Sequence, residues 1–221
     1  MTNIAIYVEG GGDTAQQKAD LRTGLDQLLG RQKQAARNKR LGWKLVPCGG
    51  RDNARKAFLA AIHNSAGQTL CVLLVDAEEG LPAETTGQAA ENAQARKNHL
   101  IQRDRWHLAN IDPHQIHLMV QCMEAWIVAD PDALARYYGK KFLPQKLPNR
   151  RNLEEEPKAQ LYEKLADATR LTTRGEYSES NQSKIRHGSK LLSLLDPEQV
   201  AQRCPRFATL TAWLDEQIQK A

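Results

Sequence analysis

Apolar and polar positions follow two kinds of pattern in the first half of the chain. Three short apolar runs, at Asn3–Val8, 43–47 and 69–75, predict β-strands. Between them, apolar positions recur at helical spacing and predict helices over 13–29 and 51–63. The third run, TLCVLLV, is continuously apolar, which is typical of a strand covered on both faces in a parallel sheet.

This order of strands and helices predicts an α/β fold with right-handed crossovers. A further strand is predicted at 115–120. Segment 31–40 is interpreted as a basic connector, and the polar segment 81–102 as a surface helix or a mobile loop. Asp13 and Thr14 are both suitable N-cap residues for the first helix.

Helical patterns dominate the second half of the chain. A helix is expected to follow the fourth strand directly, and 140–156 reads as a loop. Further helices are predicted at 157–170, 182–195, 197–204 and 207–220. We therefore expect an α/β sheet domain over 1–139 and a helical C-terminal extension over 140–221 that packs on it.

The composition bounds the class of protein. A chain of 221 residues can form one large domain or two small ones. Its four cysteines lack metal-binding spacing and are expected to be buried, reduced thiols. The N-terminus lacks a secretory pattern, and no apolar run approaches the roughly 20 residues that span a bilayer. These features predict a cytoplasmic protein without a membrane partner and leave the oligomeric state open.

The charge is mildly basic and uneven. The net charge is +5 and the pI about 9.0, and nine basic residues lie between Arg31 and Lys56 against one acid, Asp52. Such a segment suits a polyanion such as nucleic acid. A solvated helix face and loop explains it equally well.

The most informative stretch is YVEGGGD, where the first strand ends at Glu9. The third strand ends at Asp76, with Glu78 two residues later. Because ligands bind beyond the carboxyl ends of parallel strands, these acids are expected to converge, and Mg²⁺ or Mn²⁺ would relieve their repulsion. Taken singly, Glu9 could face water, Asp13 could be an N-cap and Asp76 could cap a turn.

The glycines after Glu9 fit the same hypothesis. Gly10, Gly11 and Gly12 allow a sharp turn and a close approach of substrate, and they lead into a helix N-terminus that favours phosphate. No Gly-Lys-Ser/Thr follows, which excludes a Walker A loop, and the dinucleotide pattern GxGxxG is absent.

Two later segments add candidate residues. Glu124 lies among apolar neighbours and needs either an arginine partner or a role as metal ligand or orienting group. In SKIRHGSKLL, the basic residues Lys184, Arg186, His187 and Lys190 are candidates for phosphate binding. Three of them are spaced by three and are expected to share one helix face; a solvated stripe is the alternative.

The boxes YVEGGGD, LLVDAEE and QCMEAWIVAD together resemble the Toprim superfamily, in the branch of small bacterial proteins related to RloB and the OLD-type nucleases. The resemblance covers 1–130 and extends loosely to KIRHGSKLL. It implies a Toprim-like Rossmannoid α/β fold over 1–139, with a parallel-dominated sheet flanked by helices. It also implies metal-dependent chemistry on phosphodiesters, with Glu9 as general acid or base and Asp76 and Glu78 as metal ligands. It also implies association with an ATPase and with phage defence. Glu78 stands where the family has aspartate, so a non-catalytic member stays possible.

The sequence thus predicts a Mg²⁺-dependent or Mn²⁺-dependent nuclease acting on DNA or RNA. Glu9, Asp76 and Glu78 form its centre, and Asp13 and Glu124 support it. Two rivals stay open: a non-catalytic interaction subunit for an ATPase or another nuclease, and a small-molecule phosphoryl-transfer enzyme.

Overall fold

A four-stranded, all-parallel sheet forms the centre of the protein. The computed structural model describes residues 1–65, 67–179 and 183–221. Its strand order is β2-β1-β3-β4. The strands are β1 (Asn3–Val8), β2 (Gly42–Pro47), β3 (Thr69–Asp76) and β4 (Ile116–Met119). The predicted α/β fold with a parallel sheet is confirmed.

Helices flank this sheet and make up most of the C-terminal half. In the described ranges they are α1 (Ala15–Leu28), α2 (Gly30–Asn38), α3 (Arg51–Asn64), α4 (Ala89–Asp104), α5 (Glu124–Val128), α6 (Pro131–Tyr138), α7 (Lys158–Thr169), α8 (Ser183–Leu192), α9 (Pro197–Arg203) and α10 (Pro205–Lys220). Short 3-10 turns occur at Pro113–Gln115, Pro144–Lys146 and Leu153–Glu155. Thr14 caps α1 in a capping box with Gln17.

Apolar side chains cover the sheet on both faces. Ile4, Ile6 and Val8 of β1 belong to one large core that includes residues of α1, α8 and α10. Leu73 and Val75 of β3 belong to a second core under α3 and α4. Because successive side chains of a strand point to opposite faces, the continuous apolar run of β3 serves both cores.

Two element predictions were wrong. Segment 31–40 is not a connector, because most of it forms α2, whose buried residues Gln32 and Ala36 lie on the side of α10. The helix predicted after β4 is split into α5 and α6. Asp130 breaks the run as the N-cap of α6 and Pro131 starts the new helix, since a proline suits the first turn but not the interior.

The C-terminal helices share the larger core with the sheet. The rings of Trp126 and Phe207, which lie on opposite sides of residue 139, pack edge to face with centroids 4.9 Å apart. Leu191 and Leu192 of α8 are buried in the same core as Leu21. The boundary predicted at 139/140 stays a prediction.

The basic segment 31–56 does not form one surface. Lys39 and Arg40 precede β2 and Arg51 follows it, so they lie near opposite ends of the strand. Arg31 pairs with Asp215, Lys33 with Asp26, and Arg51 with Glu9 and Asp104. These three of the nine basic residues therefore balance acids of the chain itself. In the described part of the chain, no helix is long and apolar enough to cross a membrane.

Gly24 sets the approach of α1 to α8. An added Cβ would overlap the Ser189 carbonyl oxygen and touch Leu192. We expect Gly24→Ala to lower the free energy of unfolding by about 1–3 kcal/mol through overpacking, measured by urea denaturation. Gly30→Ala is the matched control, because it starts α2 with nothing within 4 Å of an added Cβ. Equal stability of the two variants would contradict this close contact.

Candidate metal centre

A glycine turn follows β1 at the carboxyl edge of the sheet. Gly10 pairs with Gly49, which follows β2, through two backbone hydrogen bonds of 2.7 and 2.9 Å. Gly10, Gly11 and Gly12 have φ angles of +114°, +89° and +61°. Residues with a Cβ rarely adopt this region, so the sharp turn requires glycine, as predicted. The backbone next to Glu9 therefore carries no side chains over these three residues.

Three carboxylates meet next to this turn. One oxygen from each of Glu9, Asp76 and Glu78 lies within 4.8 Å of the others. The reason is topological: β1 and β3 are neighbours, and Val8 pairs with Leu74, so the two strands end side by side. The predicted convergence of these acids is confirmed. The identity of any ion they bind stays a prediction.

Asp76 is the most buried of the three acids, with 6% of its surface exposed. Its Oδ1 accepts a hydrogen bond from the backbone N–H of Met123 at 2.9 Å. Burial raises the pKa of Asp76 well above its ordinary value, and the carboxylates of Glu9 and Glu124 raise it further. An ionised Asp76 is therefore unfavourable in the metal-free protein, and a bound cation would reverse this penalty.

Glu9 is held by two donors. Its Oε2 accepts from the backbone N–H of Asp76 and from Arg51 Nη1, each at 3.1 Å. Arg51 also donates to the Asp76 carbonyl oxygen, and its Nη2 lies 2.6 Å from Asp104 Oδ2. Burial raises the pKa of Glu9, and Arg51 only partly offsets this. Arg51 thus balances Glu9 while making no described ion pair with the Asp76 carboxylate.

Glu78 has an unusual backbone. Its φ is +70°, and its N–H donates to the Gln121 carbonyl at 2.7 Å. Non-glycine residues in this left-handed region are strained and are concentrated at functional sites. Its Oε2 accepts from Lys158 Nζ at 2.7 Å. Burial alone would raise the pKa of Glu78, but Lys158 lowers it overall.

Glu124 lies behind the three acids rather than among them. It is fully buried, and its Oε1 accepts from the Tyr177 hydroxyl at 2.8 Å. Its nearest cation is a lysine, Lys184, with Nζ 3.7 Å from Oε1, where the sequence suggested an arginine. Among the described residues, Glu124 Oε2 has no hydrogen-bond partner.

The three acids Glu9, Asp76 and Glu78 line a cavity of about 300 Å³ together with the glycine turn. Asp13 lies on its wall but is exposed and is not one of the three acids that meet in the described structure. Its predicted role as a ligand stays a prediction. The capping box occupies the N–H groups of Thr14 and Gln17, which leaves part of the α1 N-terminus for an anion.

The basic residues of α8 divide between two cavities. Lys184 lines the acidic cavity, whereas Arg186, His187 and Lys190 line another. The helix face predicted to be common to Lys184, His187 and Lys190 is wrong, because residues six apart are turned by about 120° around a helix of 3.6 residues per turn.

Sequence reasoning did not single out Arg51 and Lys158, which contact Glu9 and Glu78. Arg51 starts the helix after β2. Because ligands bind beyond the carboxyl ends of parallel strands, a search of the residues that follow β2 would have identified it. Lys158 starts α7 and comes to the site only through tertiary packing. The sequence carries no local signal for it.

The fold and the site define an α/β protein whose parallel sheet carries an acidic, lysine-flanked pocket at its carboxyl edge. Residues 8–215 match the family model DUF4276, described as a domain of unknown function, and the chain belongs to that family. Comparisons with curated proteins and with solved structures found no match. The family description names no activity, so the Toprim resemblance stays a prediction.

Proposed function

We propose that the protein is a divalent-metal-dependent phosphodiesterase that cleaves nucleic acid. The observation that carries this proposal is the convergence of Glu9, Asp76 and Glu78 within 4.8 Å in an open cavity. The resemblance to Toprim nucleases points to the same three residues and adds the expected chemistry, although Glu78 stands where that family has aspartate.

The donor set fits a small, hard cation. One oxygen of each acid is already bonded: Glu9 Oε2 to Arg51, Asp76 Oδ1 to Met123, and Glu78 Oε2 to Lys158. Among the described residues, the second oxygen of each carboxylate accepts no protein hydrogen bond. Three free carboxylate oxygens, with water completing the shell, suit Mg²⁺ or Mn²⁺.

The side chains around the acids have separable tasks. A bound Mg²⁺ or Mn²⁺ would polarise the phosphate and lower the pKa of a water molecule. Arg51 fixes the orientation of Glu9, whose carboxylate is placed to ligate or to take a proton. Lys184 lines the cavity and offers its charge to the phosphate, and the glycine turn gives the substrate room.

The test is metal-dependent cleavage by the purified full chain. Plasmid DNA, single-stranded DNA and tRNA are each incubated with Mg²⁺, Mn²⁺ or EDTA. We expect cleavage of at least one polymer with metal, none with EDTA, and a loss of at least about 100-fold in Glu9→Gln, since a ligand contributes no less than its supporting groups. Arg37→Gln, an exposed change on α2, is the control and should cleave normally.

Two outcomes would contradict the proposal. If nucleoside triphosphates are hydrolysed while every polymer stays intact, the site belongs to a small-molecule enzyme. If nothing is cleaved by the chain alone or together with an ATPase partner with which it forms a stable complex, the interaction-subunit hypothesis replaces the nuclease.

A further inference from the structure

A second cavity, on the other side of α8 from the acids, is strongly basic. Its volume is about 600 Å³, and its described lining residues are Tyr137, Thr173, Arg174, Arg186, His187 and Lys190. Three of these are cations and none is an acid. In the described part of the chain, no carboxylate pairs with Arg174, Arg186 or Lys190. Like charges gathered without a counter-ion attract an anion.

Two of the three cations are held in place by the protein. Arg174 Nε donates to the Tyr137 carbonyl at 2.6 Å, and its guanidinium carbon lies 4.4 Å from the Tyr137 ring centroid. Arg186 Nη2 lies 3.0 Å from His187 Nε2. An arginine fork fixed in this way loses little further freedom when it binds an oxyanion.

His187 orients Arg186 as a neutral acceptor. It is buried, and burial and the charges of Arg186 and Arg174 lower its pKa to about 4. Because arginine only donates, Nε2 accepts and the ring proton is assigned to Nδ1, which is 2.9 Å from the Tyr138 hydroxyl. The histidine is a positioning residue rather than a further positive charge.

The position of α8 connects this cavity to the acidic one. Lys184 and Ser189 line the acidic cavity, and Arg186 and Lys190 line the basic one, so α8 is the wall between them. Arg186 and Lys190 are exposed on its outer surface. An α-helix is about 10 Å wide, a distance that at most about three nucleotides span, since each covers about 3.4 Å in a stacked duplex and more in an extended strand.

We propose that the basic cavity binds a backbone phosphate of the same nucleic-acid strand, at most about three nucleotides from the phosphate at the acidic site. The strand crosses the exposed surface of α8. This inference rests on the proposed function for the identity of the polyanion. It adds a substrate-length requirement that the acidic site alone does not have.

The test is the binding of fluorescein-labelled oligothymidylates of two to twelve nucleotides, followed by anisotropy in EDTA. Arg186→Gln/Lys190→Gln is compared with the wild type and with Arg37→Gln/Lys44→Gln, which removes the same charge near β2. We expect the first variant to bind the longest oligonucleotide about 5-fold more weakly in 0.1 M salt. The slope of log affinity against log salt concentration should fall in magnitude by about 0.7, the value for the loss of one phosphate contact on a single strand.

Chain length provides the second criterion. Wild-type affinity should rise sharply between two and about four nucleotides, and the rise should be absent in Arg186→Gln/Lys190→Gln. The inference is wrong if that variant binds like the Arg37→Gln/Lys44→Gln control. It is also wrong if thymidine monophosphate displaces the labelled oligonucleotide as well as an unlabelled oligonucleotide does. The same holds if polyglutamate binds as tightly as the oligonucleotide and is weakened equally by Arg186→Gln/Lys190→Gln.

Mn²⁺ binding distinguishes this inference from the proposed function. Titration calorimetry with Mn²⁺ should give the same affinity in the wild type and in Arg186→Gln/Lys190→Gln. Normal Mn²⁺ binding and cleavage without an effect on oligonucleotide length would overturn the basic cavity alone. Length-dependent binding without Mn²⁺ binding or cleavage would overturn the nuclease and leave a nucleic-acid-binding protein.

Discussion

Asp76→Asn is expected to abolish metal-dependent cleavage and, in metal-free protein, to stabilise the fold. Asparagine keeps an acceptor for the Met123 N–H but removes a buried charge that lies beside Glu9 and Glu124. Natural binding sites often lower stability in this way in exchange for activity. For a chain of this size, each kcal/mol gained raises Tm by about 2–4 °C.

The pH dependence of this effect has a defined sign. The pKa of Asp76 is higher in the folded than in the unfolded protein, so the folded state binds more protons between the two values. The free energy of unfolding of the wild type therefore falls as the pH rises from the unfolded value of about 3.8 through the higher folded value. Asp76→Asn has no carboxyl at this position and does not lose this part of the free energy of unfolding. The difference in stability between the variant and the wild type should therefore grow over that pH range and then stay constant.

Thermal unfolding in EDTA and in Mn²⁺ measures both effects. Mn²⁺ should raise the Tm of the wild type by mass action and leave that of Asp76→Asn almost unchanged. Glu163→Gln, which removes one exposed charge on α7, is the control and should respond to Mn²⁺ like the wild type. An Asp76→Asn protein that is less stable than the wild type in EDTA, and that Mn²⁺ still stabilises, would show that these acids do not form a metal site.

The acidic centre could be predicted from the sequence because its geometry follows from the sheet. Glu9 and Asp76 end two strands, and neighbouring parallel strands bring their ends together whatever the surrounding loops do. Gly10, Gly11 and Gly12 carried their own signal, because three successive residues without a Cβ are needed only where the backbone turns sharply.

The parts that could not be predicted depend on tertiary packing. Lys158 contacts Glu78 across 80 residues of chain, and nothing around it in the sequence indicates that contact. The face of α8 was misjudged because spacing by three drifts around the helix, so Lys190 points away from Lys184. Segment 31–40 was not recognised as a helix because most of its residues are charged or polar. Only Gln32 and Ala36 of α2 are buried, so the segment lacks the apolar periodicity that indicates a helix.

Glu124→Gln and Glu124→Ala are expected to separate a structural from a positioning role of the buried carboxylate. Glutamine keeps an acceptor for the Tyr177 hydroxyl, so the free energy of unfolding should change by about 1 kcal/mol or less. Both changes remove the charge that faces Lys184, but alanine also leaves the Tyr177 hydroxyl unpaired and creates a cavity. Its loss should be about 3 kcal/mol or more.

Activity should distinguish Glu124 from the metal ligands. Glu124 is not among the acids that meet, so Glu124→Gln should still bind Mn²⁺ with close to the wild-type affinity. The kcat should fall about 10–100-fold, as it does when groups that orient a site are removed, because Lys184 loses the carboxylate 3.7 Å away. Loss of Mn²⁺ binding in Glu124→Gln would instead make Glu124 a ligand.

A double-mutant cycle with Lys184 tests whether the two residues act as a unit. If Glu124 works through Lys184, then Lys184→Gln should lower kcat as much as Glu124→Gln, and the double variant should lose no more than either single variant. Additive losses would mean that the two side chains act separately. Since Tyr177 also bonds Glu124, Tyr177→Phe serves as the control: it removes a hydroxyl from the same carboxylate but leaves the charge facing Lys184.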